Sequence, residues 1–590
     1  MPPTPSLYPK IIDNKYTFLE KVGGGSFSDV LKVEGPHGLH ALKLLKKGFG
    51  DRYHHESLAD FKNEFSILKD LNHPHIARIL DFGFDEALGQ YYFTTELITG
   101  QDLFSGTQKC TTEEKVDYIV QALRALIYLH SYRIFHFDIK AANLLVTSGN
   151  PALLKIIDFG LATPDPQKKI MGTPSYMAPE IINHELPDGR ADLYSLGVLF
   201  YYILTGLNPF RGKGVQETLS RQQSHTPPPP SSLNPDLPPY IDVITMRLLQ
   251  KNPAYRYQRG EEVIEELNRI APKKYPLETK DTLLSYLPEE GRLIGQKKQW
   301  RVLRGIFRSI FQEGFSKKET PHLALIKGAH GTGKSRLLKE LKYFSQLDHV
   351  PVISGDASIE GDLDRFIEEL KNSMGEKAEG PLLFLLDNVS SFAENSPRRN
   401  HLIGHLTRWN DHYSITSGPP RWIVLAGDSH EAWETDPWKS LIDQTFSLSN
   451  FSLEELTEYM ISLTGLEDPP QELVQGIFHR SEGNPLLVTL VLRSLIQGGA
   501  LFDEGGRWRS STFEDIGVDF TKASLPDNLE GLLLLPYKQK DKESQHIVEL
   551  MAVINKPLTL AELTSLMDGK KASSTPLSFQ IQKLLKDNLL

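Results

Sequence analysis

Asp138, Lys140 and Asn143 share one short run, His136-Phe137-Asp138-Ile139-Lys140-Ala141-Ala142-Asn143-Leu144-Leu145. Those side chains suit phosphoryl transfer to a hydroxyl. Asp138 can accept the hydroxyl proton as a catalytic base, Lys140 can neutralise the moving phosphoryl group, and Asn143 can hold a metal ion. Asp158, opening Asp158-Phe159-Gly160 after an apolar strand, offers a second metal ligand. Upstream, Lys43 stands on the apolar strand Ala41-Leu42-Lys43. Glu64 is its natural partner. It lies on the same helical face as Phe61 and Leu68, where an inward carboxylate without a cation would be costly. The run from Val22 through Gly23, Gly24, Gly25, Ser26, Phe27 and Ser28 to Val30 joins two strand segments. Its glycines let backbone approach phosphates without a Cβ in the way.

A second set follows. Gly328-Ala329-His330-Gly331-Thr332-Gly333-Lys334-Ser335 has the spacing of a phosphate-binding loop, between the apolar strand Leu323 to Ile326 and a helix-like segment. Backbone N–H groups there would cradle phosphates, Lys334 would reach the β/γ oxygens and Ser335 would ligate Mg2+. The strand Leu382 to Leu386 delivers Asp387 to its C-terminal end, where ligands sit in open α/β sheets. Position 388 is Asn, which cannot take a proton, so slow hydrolysis is expected. Glu394 is the spacing-based substitute.

The first set, in this order and with Ala178-Pro179-Glu180, Asp192 and Arg256 beyond it, resembles the eukaryotic-type protein kinases over about Tyr16 to Ile270. The resemblance implies an ATP- and Mg2+-dependent serine/threonine kinase. Val22, Gly23, Gly25 and Val30 would cover ATP, Lys43 would contact its phosphates, and Glu64 would position Lys43. Glu96 and Leu97 would form the adenine hinge behind Thr95, and Asp102 would meet the ribose. Asn143 and Asp158 would hold Mg2+. A buried Glu180–Arg256 pair would brace the lower lobe. Lys140 and Gly172-Thr173 point to serine/threonine rather than tyrosine specificity. Two departures stand out. Ser28 replaces the third glycine of the loop, and Phe137 replaces an arginine that commonly pairs with an activation-loop phosphate. Between Leu161 and Met171, Thr163 is the only hydroxyl, so gating by something other than that phosphate is expected.

The region from about Leu293 to Leu590 resembles the signal-transduction ATPases with numerous domains, relatives of the AAA+ group. The loop Gly328, Gly331, Gly333, Lys334 and Ser335 with Asp387 carries most of the likeness, joined by Ile294-Gly295-Gln296 and Gly483-Asn484-Pro485-Leu486. The resemblance implies ATP with Mg2+ on Ser335 and Asp387, a helical subdomain, a terminal winged helix and self-association through this half.

The elements that must position these residues follow from pattern. Residues 1–15 read as a disordered lead and 16–271 as a bilobal α+β kinase domain, strands first and helices after. A linker is placed at 272–290. An α/β core with a parallel sheet follows at 291–450, then a helical subdomain at 451–530 and a winged-helix-like subdomain at 531–590. Leu323 to Ile326, Leu382 to Leu386 and Trp422 to Ala426 are near-continuous apolar runs, as a sheet covered on both faces requires. The Pro-rich stretch Thr226 to Pro239 reads as a surface loop, and Leu193 to Leu204 as a buried helix too short to span a bilayer.

Composition agrees with several such domains. The chain has 590 residues, 24% charged and 39% hydrophobic, with a net charge of −10. That balance disfavours whole-chain binding to nucleic acid or an anionic membrane. The single cysteine, Cys110, permits no intramolecular disulfide and fits a reducing, cytoplasmic setting. The expected function is a kinase acting on protein substrates under control of a nucleotide switch in signal transduction. The alternatives are a catalytically weak pseudokinase scaffold and a transcription regulator that uses the winged helix.

Overall fold

The computed structural model describes residues 8–497 apart from 14, 25–27, 36–37, 47–60, 63, 67, 70, 86, 150, 160–171, 286, 288–294, 313–321, 360, 375–379, 392–395, 416–418, 430 and 465–468. It also describes Leu501, Tyr537 and 541–554. Residues up to Ser449 belong to one compact unit, and Asn450–Leu501 with the C-terminal stretch to another. Gly25, Gly160, Thr163, Ile294, Glu394 and most of the expected winged helix lie outside the described residues.

The first unit opens on an antiparallel sheet: β1 (Ile11–Ile12), β2 (Tyr16–Gly24), β3 (Ser28–Gly35), β4 (Gly38–Leu45), β5 (Ile79–Asp85) and β6 (Gln90–Glu96). The spatial order is β1-β2-β3-β4-β6-β5. Alternation sets its face: Leu31, Val33, Leu42 and Leu44 point into one apolar cluster with Tyr16 and Tyr92. Residues 61–68 are helical wherever described, burying Phe61, Glu64, Phe65 and Leu68.

Helices then dominate, around the small sheet β7 (Gly100–Asp102), β8 (Leu144–Thr147) and β9 (Leu154–Ile156). Helix α1 (Thr112–Ser131) starts at a capping box between Thr111 and Glu114. Helix α2 (Gly189–Thr205) starts at Asp188, which accepts from the Arg190 N–H, and stops at Gly206 in the left-handed region, φ 76°. It contains Leu193 to Leu204 and is buried nearly throughout, as the sequence requires. Two expectations shift. The Pro-rich stretch is not simply a surface loop: Pro230 is buried at the start of a short helix, and the Tyr201 hydroxyl donates to the Pro228 carbonyl. The stretch after Pro272 is anchored too. Tyr275 and Leu277 join the main apolar cluster, and Arg124 donates to the carbonyls of Pro276 and Leu277.

Next, α3 (Lys297–Phe311) leads into a parallel sheet of β10 (Leu323–Gly328), β11 (Val352–Asp356), β12 (Leu382–Asp387), β13 (Arg421–Gly427) and β14 (Gln444–Leu448). Its order is β11-β12-β13-β10-β14. Helix α4 (Lys334–Leu347), α5 (Asp362–Asn372) and α6 (Pro397–Ile415) cover it. Period-2 alternation divides the strand residues. Leu325, Phe384 and Leu425 pack with Phe366 and Trp409, whereas Ile326, Leu385 and Val424 pack with Phe307 and Leu341. That accounts for the unbroken apolar runs.

The second unit is helical: α7 (Leu453–Thr464), α8 (Gln471–Ser481), α9 (Pro485–Gln497) and α10 (Lys542–Ile554). Gly483 turns the corner at φ 72°, where a Cβ would collide with the Phe451 carbonyl oxygen. Asn484 then caps α9, accepting from the N–H groups of Leu486 and Leu487. Among the described residues, no helix is long and apolar enough to cross a membrane.

His75 joins the two lobes of the first part. Its ring lies 3.0 Å from the Leu154 carbonyl, and its own carbonyl accepts from the Ile156 N–H. Burial pushes the imidazole down to about 4. Since its ordinary value is near 6.5, the unfolded chain binds the proton first. The His75 contribution is therefore whole above pH 6.5 and is lost as pH falls to about 4, a change of about 3 kcal/mol. Urea unfolding across that window should show the loss, and His75→Asn should make it shallower.

Candidate functional site

Strand β4 carries Lys43 opposite Phe93 of β6 and Val30 of β3, and Val30 also pairs with Gly23 of β2. Lys43, Val30 and Gly23 are thus stacked in register. Val22 is half exposed, beside Gly23. Lys43 Nζ donates to Glu64 at 2.7 and 2.9 Å and to Asp158 Oδ1 at 3.0 Å. Burial works against its charge, but Glu64 and Asp158 outweigh it and raise the ammonium above its ordinary value. For Glu64, burial raises the carboxyl while Lys43 opposes it. Three elements far apart in sequence meet at one charged centre.

The loop after α1 supplies the second cluster. Lys140 Nζ donates to Asp138 Oδ2 at 2.5 Å, and the Asn143 amide donates to the same oxygen at 3.1 Å and to the Asp138 carbonyl at 2.9 Å. Thr173, for which the sequence offered only a specificity signature, is part of this cluster. Its hydroxyl donates to Asp138 Oδ1 at 2.7 Å and lies 3.1 Å from Lys140 Nζ. Asp138 is therefore oriented through both oxygens. Asp192 holds the loop from behind, accepting from the N–H groups of His136 at 2.9 Å and Phe137 at 2.7 Å. Phe137 sits at φ 58° with its ring in an apolar cluster with Ala178, Ile181 and Tyr194.

Glu96 ends β6, where Lys155 Nζ reaches its Oε1 at 2.5 Å and its backbone N–H donates to the Arg78 carbonyl. Leu97 follows, half-buried. Asp102 caps a short helix, accepting from the N–H groups of Phe104 and Ser105 at 3.1 Å. Glu180 and Arg256 form the buried pair expected of them, at 2.6 and 2.7 Å. The guanidinium also donates to the carbonyls of Arg190, Gln250 and Lys251.

A family model described as a protein kinase domain matches residues 16–267. Residues 16–267 thus carry the likeness of a protein kinase domain. The chain is similar to a probable serine/threonine-protein kinase of Clostridium perfringens, 30% identical over 278 residues, 45% of this chain and 39% of that one. It is also similar to the serine/threonine-protein kinase pkn3 of Myxococcus xanthus, 31% identical over 46% of this chain and 52% of the relative. PknB of Mycolicibacterium smegmatis is 30% identical over 45% of each. The chain thus spans about half or less of the length of these relatives. A kinase domain uses ATP and Mg2+. Asn143 and Asp158 fit that ion in kind, as hard oxygen donors, and the Asp158 side chain keeps 42% exposure beside Lys43.

Residues 329–333 join β10 to α4. Strand β10 ends at Gly328, and Gly331 and Gly333 adopt φ 81° and 96° before α4 begins. Lys334 Nζ donates to the carbonyls of Gly328 at 2.9 Å and Ala329 at 3.0 Å. It also meets Asp428 Oδ1, just past β13, at 2.8 Å, a partner the motif does not encode. Ser335 hydrogen-bonds Asp387, whose carboxyl burial raises above its ordinary value. Asn388 takes φ 54° and donates to Asp356 Oδ2 at 2.8 Å.

Arg256 tests the brace under the kinase site. Arg256→Ala leaves Glu180 buried without its cation, and urea unfolding should show a loss of about 3–5 kcal/mol. Arg256→Lys keeps the charge but not the fork, and should fall between.

Proposed function

We propose that this protein is a serine/threonine kinase that transfers the γ-phosphoryl group of ATP to protein hydroxyls in signal transduction, with residues 291–590 acting as its nucleotide switch. The observation that carries the first part is the joint geometry of the two clusters. Lys43 is paired with Glu64 and Asp158 while Asp138 is oriented by Lys140, Asn143 and Thr173. In this reading Asp138 accepts the substrate hydroxyl's proton, and Lys140 bears on the phosphoryl group being moved. Lys43, positioned by Glu64, holds the ATP phosphates under Val22, Gly23, Gly25 and Val30. Glu96 and Leu97 frame the adenine and Asp102 the ribose. Asn143 and Asp158 would hold Mg2+, which neutralises charge on the phosphates.

Phe137 supports control from elsewhere. An apolar ring buried with Ala178 and Tyr194 offers nothing to a phosphate. The second loop supports a nucleotide site as its source. Strand β10 lies between β13 and β14, neither its successor in sequence, and ligands favour such switch points at the C-terminal strand ends. Ser335 and Asp387 would hold Mg2+ there. Asn388, engaged with Asp356, favours slow turnover.

Transfer of labelled γ-phosphate from ATP and Mg2+ to the full chain and to dephosphorylated casein tests the first part. Asp138→Asn should lower the rate about 10²–10⁴-fold. An unlabelled wild type, or a folded Asp138→Asn at wild-type rate, would sink the kinase reading. For the switch, Lys334→Ala should abolish binding of labelled nucleotide that survives blockade of the kinase cleft by an adenine-competitive inhibitor. No such binding in the wild type would remove the nucleotide switch and leave the kinase standing.

A further inference from the structure

The helix that begins at the second loop ends in the kinase core. Tyr343 of α4 is 3% exposed and belongs to the same apolar cluster as Phe65, Phe82 and Tyr91. Its ring meets Phe65 edge-on, with centroids 5.1 Å apart. Phe65 is the residue after Glu64. Around this aromatic contact stand two ion pairs of opposite polarity. Lys69, at the end of the Glu64 helix, meets Glu340 of α4 at 2.7 Å, with side chains only 14% and 10% exposed. Lys342 of α4 meets Asp81 of β5 at 2.8 Å. At the end of α4, Lys62 donates to the Leu347 carbonyl and lies 3.0 Å from His349.

From this we infer that α4 is a positioning element for Glu64, with Glu340 and Tyr343 holding the Glu64 helix against β4, and that nucleotide at the loop 328–335 and kinase activity are linked through it. The second clause rests on the nucleotide-switch reading; the first does not. Residues 62, 65 and 69 form one stripe at helical spacing, and Phe61, Glu64 and Leu68 form the next. One stripe packs on α4 while the other brings the carboxylate to Lys43. A shift of the helix on α4 therefore moves Glu64 directly.

The other end of α4 supplies the sensor. Lys334 is its first residue and now donates to its own loop's carbonyls and to Asp428. A bound phosphate competes for that ammonium and for the N-terminal N–H groups, so it re-seats the first turn. Tyr343 stands about 13 Å further along, at 1.5 Å per residue. The coupling is reciprocal: the factor by which nucleotide at the loop changes ATP affinity in the kinase cleft is the factor by which ATP there changes the loop's affinity.

The test uses the full chain and a charge swap. We would measure kcat and KM for ATP, with casein as acceptor, in wild type, Lys69→Glu, Glu340→Lys and the double variant, with thermal unfolding alongside. Each single variant should lower kcat/KM for ATP by about fivefold to a hundredfold. The swap, which restores an opposite-charge pair with its polarity reversed, should recover most of it. Folded single variants at wild-type rates, or a folded swap with no recovery, would overturn the positioning role. If the singles fail to fold, the swap alone decides: recovery of both fold and kcat/KM supports the pairing, and a folded but impaired swap overturns it. The linkage has its own readout, labelled-nucleotide affinity at the loop with the kinase cleft blocked. Glu340→Lys should shift that affinity, whereas an unchanged affinity overturns the linkage and leaves the nucleotide site intact. No nucleotide binding in the wild type overturns the nucleotide-switch reading and the linkage together, and the swap result then bears on positioning alone.

Discussion

An ammonium and a carboxylate buried together, met by a second and partly exposed carboxylate, set the terms for the kinase cleft. Removing such ions from water costs several kcal/mol each, and mutual attraction repays this only in good geometry. Lys43, Glu64 and Asp158 come from a strand, a helix and the end of a loop, so three elements must arrive together. If Glu64 withdraws, a buried lysine loses its principal partner and Glu64 loses the cation that offsets its burial. The antiparallel register of β3, β4 and β6 fixes Lys43, the turn after β9 delivers Asp158, and the seating of one short helix decides the third corner.

The chemistry of this centre was legible because charged residues at defined offsets on apolar segments are costly unless they are paired. Glu64 could be paired with Lys43 because its spacing from Phe61 and Leu68 turned it inward. The parallel sheet was legible for a related reason: only strands covered on both faces tolerate runs like Leu382 to Leu386. What escaped was pairing between distant helices. In the sequence, Glu340, Lys342 and Lys69 carry no signal that separates them from solvated charges. Phe65, next to Glu64, lies in the core, but part of its surroundings comes from Tyr343, far along the chain. Asp428 escaped likewise, since one carboxylate after a strand carries no signature. Thr173 lay nearer to recognition; its place on Asp138 needs a fold in the chain that no local pattern displays.

Phe137 changes how the catalytic loop is held. Its backbone N–H is tied to Asp192, and its ring buries itself with Ala178, Ile181 and Tyr194. An arginine there would keep a cation available to a charged group arriving later. A buried phenyl ring is satisfied as soon as the chain folds. The loop carrying Asp138 is thus held by packing that a phosphate neither makes nor breaks. The Glu64 helix is held differently: its outer stripe is completed by another part of the chain.

The chemistry of that outer contact matters as much as its presence. An apolar seam alone would tolerate sliding, since dispersion is indifferent to small changes of register. Two ion pairs of opposite polarity do not: Lys69 must meet Glu340 while Lys342 meets Asp81, and a shift of α4 separates both pairs at once. Asp81 shows what is at stake. Burial alone would raise its carboxyl, yet Lys342 and Lys15 hold it below its ordinary value, so α4 helps to keep it ionised inside the fold. Tyr343 supplies adhesion and the ion pairs supply register. A contact built this way has one well-defined seated arrangement, with a cost for leaving it set by buried charges losing their partners. That is the property a helix needs if an event at its first turn is to be felt at Glu64.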